Sequence, residues 1–269
     1  MIRYISSTIS PLNSPCLSIN NTGLGNAMFQ IASVYGISKM LNIECDFPNI
    51  KQLIDKLKTL YNYNHGETIF RNVPINNNII FNETINESSG RICDEFMINY
   101  IHNSINNIMI NGYLEDVKYF ENYRDDILKL FEPDNDSYNY IMNKYFKNIE
   151  NYNIVSVHYR LNDFSEQPDN DYYKNACNYI IEKTTNPFFY IFADDISMVD
   201  LSIYKDLDYK LIDKEVDYIH LWMISLCKHN IISFSTLSWW GAYLNNNDNK
   251  IVICNNTRSW NSLSKFILL

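Results

Sequence analysis

The stretch IISFSTLSWWGAYL, residues 231–244, sets Ser233, Ser235, Thr236 and Ser238 between an apolar run and the paired indoles Trp239 and Trp240. A hydroxyl-rich turn between a strand and a helix, joined by the free N–H groups of the helix start, makes an anion site, and a phosphate is the expected anion. Simple N-capping is the competing reading, and one of the four hydroxyls would satisfy it. The two tryptophans read as packing between helix and sheet.

Three further stretches hold groups suited to the same chemistry. In VSVHYRLND, residues 155–163, His158 and Arg160 emerge where an apolar strand ends. A guanidinium there can grip a diphosphate through two parallel hydrogen bonds and offset the charge that develops as a nucleoside diphosphate departs. An Arg160 paired with Asp163 as structural support is the alternative. In FADD, residues 192–195, Asp194 and Asp195 can accept from a ribose hydroxyl or a guanine edge, while Asp195 equally fits the N-cap of a following helix. In GLGNAMFQ, residues 23–30, Gly23 and Gly25 suggest a tight turn that brings backbone and the Asn26 amide close to a ligand. The spacing fails as a dinucleotide fingerprint at Met28, and no phosphate-loop sequence occurs. Strings of the DxD type, at Asp134/Asp136 and Asp169/Asp171, lie in polar stretches, and no metal is expected there.

These groups need elements to hold them. The first organised unit reads as a strand over 16–19, a glycine turn, a helix carrying Met28, Ile31, Ala32, Tyr35, Ile37 and Met40, and a strand over 43–47. Residues 48–105 give only helix and loop. A strand over 108–110 precedes an amphipathic helix with Val117, Phe120, Ile127, Leu128 and Phe131, ended by Pro133. After a polar stretch at 135–153 the chain alternates strands at 154–158, 188–192, 209–212, 230–233 and 251–254 with helical segments. Strands separated by helix-length segments imply right-handed crossovers and parallel sheets. The expected fold is α/β and GT-B-like: two Rossmann-like lobes, 1–140 and 141–269, whose parallel sheets face across a cleft.

Composition narrows the partners. Lys and Arg number 22 against 31 Asp and Glu, a net charge of −9, which argues against an extended nucleic-acid-binding face. No apolar run approaches the roughly 18 to 20 residues of a membrane span, and the first sixteen residues lack a signal peptide's apolar segment. A soluble, cytoplasmic protein is expected. Six dispersed cysteines without a CxxC pair read as buried free thiols.

Together the stretches resemble the α-1,2-fucosyltransferases of glycosyltransferase family eleven. That family shows a GLGNQxFQ-like turn, a GYxQxxxYF segment, an HxRRxD motif, an FSDD-like strand end and a CKHxIIxNSTFSWWGAWL-like block. Residues 23–30, 112–120, 158–163, 192–195 and 227–244 are similar to these, in the same order. The resemblance implies that the second lobe binds GDP-β-L-fucose, that the first lobe is the acceptor side, that a terminal galactose is the usual acceptor, and that transfer inverts the anomeric centre without a metal or other cofactor. It implies that Arg160 holds the donor diphosphate, that His158, Asp194 and Asp195 contact the nucleoside, and that Ser235, Thr236 and Ser238 form the phosphate-binding turn. Asn26 matches an asparagine near the reacting sugar, and Asp163 is the carboxylate best placed to orient Arg160 or to act as base. Leu161, Ala193, Phe234, Leu237 and Ala27 depart from the pattern. Those departures motivate two alternatives: another GDP-hexose on the same scaffold, or a catalytically weak carbohydrate- or nucleotide-binding relative.

Overall fold

The computed structural model describes residues 2–9, 23–76, 78–88, 92–161, 168–255 and 266–268. It divides into two compact units, Met1–Glu132 and Pro133–Leu269. The sequence boundary at 140/141 would cut a helix, α5, that begins the second unit at Asn135–Tyr145. Its polar sequence hid it. Asp134 starts it as an N-cap, accepting from the Ser137 amide at 2.9 Å, and the apolar stripe is reduced to Ile141 and Tyr145.

The first unit holds β1 (Tyr4–Ser7), α1 (Leu24–Leu41), β2 (Glu44–Cys45), α2 (Ile50–Tyr61), β3 (Glu83–Asn86), α3 (Glu95–Asn103), β4 (Ile108–Asn111) and α4 (Arg124–Leu130). Its sheet is wholly parallel in the order β2-β1-β4-β3. Helix α1 is apolar nearly all round and buried along most of its length, as a core helix must be. It ends at Asn42, whose φ of 52° is the left-handed conformation that closes many helices. At Gly36 any Cβ would collide with the Tyr119 carbonyl, so glycine permits the chain after β4 to lie against α1.

The strand read at 16–19 lies outside the described residues, and the strand observed to pair with β2 and β4 is β1. The single amphipathic helix expected after Gly112 is instead two short 3₁₀ turns, Val117–Tyr119 and Glu121–Tyr123, followed by α4. The break falls at Phe120, whose φ of −139° and ψ of 1° are not helical.

The second unit continues with β5 (Asn153–Tyr159), α6 (Asn170–Lys183), β6 (Pro187–Ala193), β7 (Tyr209–Leu211), α7 (Asp217–Leu226), β8 (His229–Ile231), α8 (Thr236–Leu244), β9 (Val252–Cys254) and β10 (Phe266–Leu268). All six strands are parallel, in the order β10-β9-β8-β5-β6-β7. The chain therefore builds outward from β5 to β7, returns, and builds outward again from β8 on the other side. This is the doubly wound Rossmann order, with its switch point between β5 and β8. The strands are near-continuous apolar runs because both faces are covered, and Val155, Val157, Phe189, Ile191, Ile231 and Ile253 are fully buried. Helices α7 and α8 pack closely where Gly241 faces Ile224, a contact that leaves no room for a Cβ. Trp222, Trp239 and Trp240 are fully buried, and Trp239 stacks on Tyr243 at 5.1 Å.

Candidate active site

In an open parallel sheet the ligand crevice lies beyond the carboxyl ends of the strands at the switch point. Val157 of β5 pairs with Ile231 of β8, so the residues that follow them leave the sheet side by side. Across this gap His158 Nδ1 lies 2.9 Å from Ser233 Oγ. His158 is 6% exposed, and burial, then the charges of Arg160 and His220, push its imidazole down to about 3. The ring is neutral at physiological pH. Two neighbouring tyrosines of α6 hold the strand ends in place. Tyr173 donates to the His158 carbonyl at 3.2 Å, and Tyr172 donates to the carbonyls of Ile232 at 2.7 Å and Ile253 at 3.1 Å.

After β8 the chain folds into a tight turn: the Ser235 amide donates to the Ser233 carbonyl at 2.8 Å, and the Trp239 amide donates to the Ser235 carbonyl at 3.0 Å. Ser235 is the N-cap of α8, yet its side chain makes no capping hydrogen bond. Its hydroxyl is buried and has no hydrogen-bond partner among the described residues. Such a group costs about 1–3 kcal/mol unless something binds it. It stands at the positive end of α8, with half-buried Thr236 opening the helix, which suits an anion. The opposite end of α8 is closed by Lys250, whose Nζ donates to the carbonyls of Ala242 and Asn245, each at 2.7 Å.

Ser238 has a different position from the one its sequence neighbourhood suggested. It is fully buried, one turn into α8, and its hydroxyl donates back to the Ser235 carbonyl at 3.1 Å. It shapes the turn from inside. Ser233, another of the four hydroxyls, lies just beyond β8 and meets His158 instead of the start of α8.

Arg160 follows β5 directly and is half-buried. The next amide, that of Leu161, donates to Asp194 Oδ1 at 2.8 Å, and the Asp195 amide donates to the same oxygen at 3.1 Å. Asp195 Oδ1 accepts from the amide of Ser197 at 3.0 Å and from its hydroxyl at 2.6 Å, capping the turn Ile196–Met198. These bonds hold its carboxyl below the ordinary range. Asp194 Oδ1 thus fixes the chain beside Arg160, and Asp195 Oδ1 fixes the turn that follows β6. Asp163 lies outside the described residues.

Gly23, Gly25 and Asn26 belong to the first unit and do not form the tight glycine turn expected. Helix α1 already begins at Leu24, and Gly23 is its extended N-cap, with a φ of −64° and nothing within 4 Å of a Cβ among the described residues. Gly25 is buried, and Asn26 is half-buried in the first helical turn. The DxD-type aspartates also start helices: Asp134 caps α5, and Asp169 caps α6 by accepting from the Tyr172 amide at 2.9 Å. Among the described residues no group of three or more His, Cys, Asp or Glu could hold a metal ion, and no helix is long and apolar enough to cross a membrane.

Parallel α/β units, the second wound about a switch point that carries an anion-ready turn, are the fold of the GT-B class. Residues 15–265 match glycosyl transferase family 11, and the chain belongs to that family. It is 32% identical over 181 residues to the O-antigen biosynthesis glycosyltransferase WbnK of Escherichia coli, covering 62% of this chain and 59% of that protein. That alignment spans less than two thirds of the relative's length. It is 27% identical over 259 residues to an alpha-1,2-colitosyltransferase of Escherichia coli, covering 86% of this chain and 88% of the relative. Among solved structures, NodZ alpha-1,6-fucosyltransferase soaked with GDP-fucose matches with a TM-score of 0.54 at 10% identity, covering 91% of this chain and 93% of that one. At that identity the likeness is one of fold.

Proposed function

We propose that the chain is an inverting transferase that moves L-fucose from GDP-β-L-fucose to the 2-hydroxyl of a terminal galactose. The observation that carries the donor half is the buried Ser235 hydroxyl, without a hydrogen-bond partner among the described residues, at the N-terminus of α8 beside the β5–β8 switch point. On this reading the diphosphate is held by Ser235, the first amides of α8 and Arg160, whose fork bridges phosphate oxygens and offsets the charge on the departing GDP. Asp194 and Asp195 contact the nucleoside. Asp163 orients Arg160, and Asn26 lies near the reacting sugar. No metal takes part. The first unit is the acceptor side and the second unit the donor side.

A second donor is favoured by one observation. The relative matched over 86% of this chain is a colitosyltransferase that forms an alpha-1,2 linkage, which supports the linkage and widens the sugar. The other relative acts in O-antigen biosynthesis, which supports a cell-surface glycan precursor as acceptor. Incubating the purified chain with GDP-fucose, other GDP-hexoses and a galactoside panel in EDTA, with product linkage read by NMR, tests this. An α-1,2-fucosylated galactoside is expected. Turnover only with another GDP-hexose would reassign the donor, and restoration by Mn²⁺ of activity lost in EDTA would overturn the metal-free reading.

A further inference from the structure

We infer that Ser233 is a positioning residue: its hydroxyl donates to His158 Nδ1 and holds the imidazole as an Nε2–H donor to the nucleoside of the bound GDP-sugar. The ligand in this statement rests on the proposed function.

The tautomer follows from hydrogen-bond accounting. Ser233 is 4% exposed, and its hydroxyl hydrogen needs an acceptor. Among the described residues Ser233 Oγ makes one hydrogen bond, to His158 Nδ1 at 2.9 Å. A neutral imidazole has one donor nitrogen and one acceptor nitrogen. Were the proton on Nδ1, the serine oxygen would accept it and the buried hydroxyl hydrogen would be left without an acceptor among the described residues. The proton therefore sits on Nε2, the ring nitrogen left for a ligand.

The surroundings keep the ring uncharged. Burial opposes the imidazolium, as do the positive Arg160 guanidinium just beyond the same strand and His220 on α7. Phe192 of β6, the residue paired with His158 in the sheet, adds no charge. A site with a fixed cation at Arg160 thus gains a second directional donor without a second charge. Ser233 holds the ring through Nδ1, and Tyr173 holds the backbone carbonyl of the same residue.

The test uses the full chain labelled with ¹⁵N. Long-range ¹H–¹⁵N correlations at neutral pH, with the His158 signals assigned by their loss in His158→Gln, report the tautomer directly. The expected spectrum has a bare Nδ1 and a protonated Nε2 whose signal moves on GDP addition. By calorimetry Ser233→Ala should weaken GDP binding about tenfold, one lost fixing hydrogen bond, and Ser233→Thr, which keeps the hydroxyl, should restore most of it. A proton on Nδ1 in the wild-type chain would overturn the inference, as would a folded Ser233→Ala that binds GDP as tightly as wild type. Absence of GDP binding by the wild-type chain would instead overturn the GDP-sugar reading, and the wild-type spectrum would still decide the tautomer.

Discussion

Asp194 Oδ1 accepts the Leu161 amide at 2.8 Å, which ties the carboxyl end of β6 to the residue after Arg160. The bond makes one rigid corner of two strand ends, so the direction in which Arg160 leaves the sheet depends on a carboxylate thirty-four residues further along the chain.

Asp194→Ala should release that corner and weaken GDP binding about tenfold, whereas Asp194→Asn, which keeps an oxygen acceptor, should retain most of it. Calorimetric titration of the two variants checks this. Equal losses in both would assign Asp194's contribution to its charge.

Arg160→Ala should cost about a hundred- to thousandfold in kcat, because the leaving diphosphate develops its greatest charge in the transition state. Arg160→Lys should recover only part, since a point charge cannot replace the guanidinium fork. Steady-state kinetics with saturating donor measure both. Near-normal turnover in the alanine variant would remove Arg160 from the mechanism.

Buried neutral histidines make stability depend on pH in a defined direction. His158 is depressed to about 3 from its ordinary 6.5, so the unfolded chain binds more protons between those values. The stability contributed by its neutral burial is fully present above 6.5 and is lost as pH falls towards 3. His220 and His229 are depressed by burial and act in the same sense. Urea midpoints should fall between neutral pH and pH about 5, and His158→Gln should flatten that fall.

Gly241→Val should overpack the α7–α8 contact, because even a Cβ collides with Ile224. A loss of about 1–3 kcal/mol is expected from urea unfolding. A variant as stable as wild type would mean that the two helices separate without cost.

The second unit was largely legible because strands buried on both faces are written as unbroken apolar runs, as in β5 and β6. The first unit was less so. β1 carries Ser6 and Ser7, both fully buried, and β3 reads ETIN, half-buried and exposed by turns, so neither resembles a core strand. At the site, the sequence pointed to His158, Arg160, Asp194 and the hydroxyl turn from their positions after strands. It could not tell which hydroxyls turn inward. Ser238 follows Ser235 by nearly one helical turn and bonds back to its carbonyl, while Ser233 meets a histidine on another strand, a contact set by sheet register. The glycines of GLGN suggested a turn, but a helix that begins at Leu24 needs no special backbone at Gly23.

The account rests most heavily on the anion site formed by Ser235 and the start of α8, and GDP titration in EDTA of the wild-type chain beside Ser235→Ala tests it most directly. The prediction is saturable binding without a divalent ion, weakened about tenfold in the variant. Wild-type binding that requires a metal, or a folded Ser235→Ala with unchanged affinity, would contradict it.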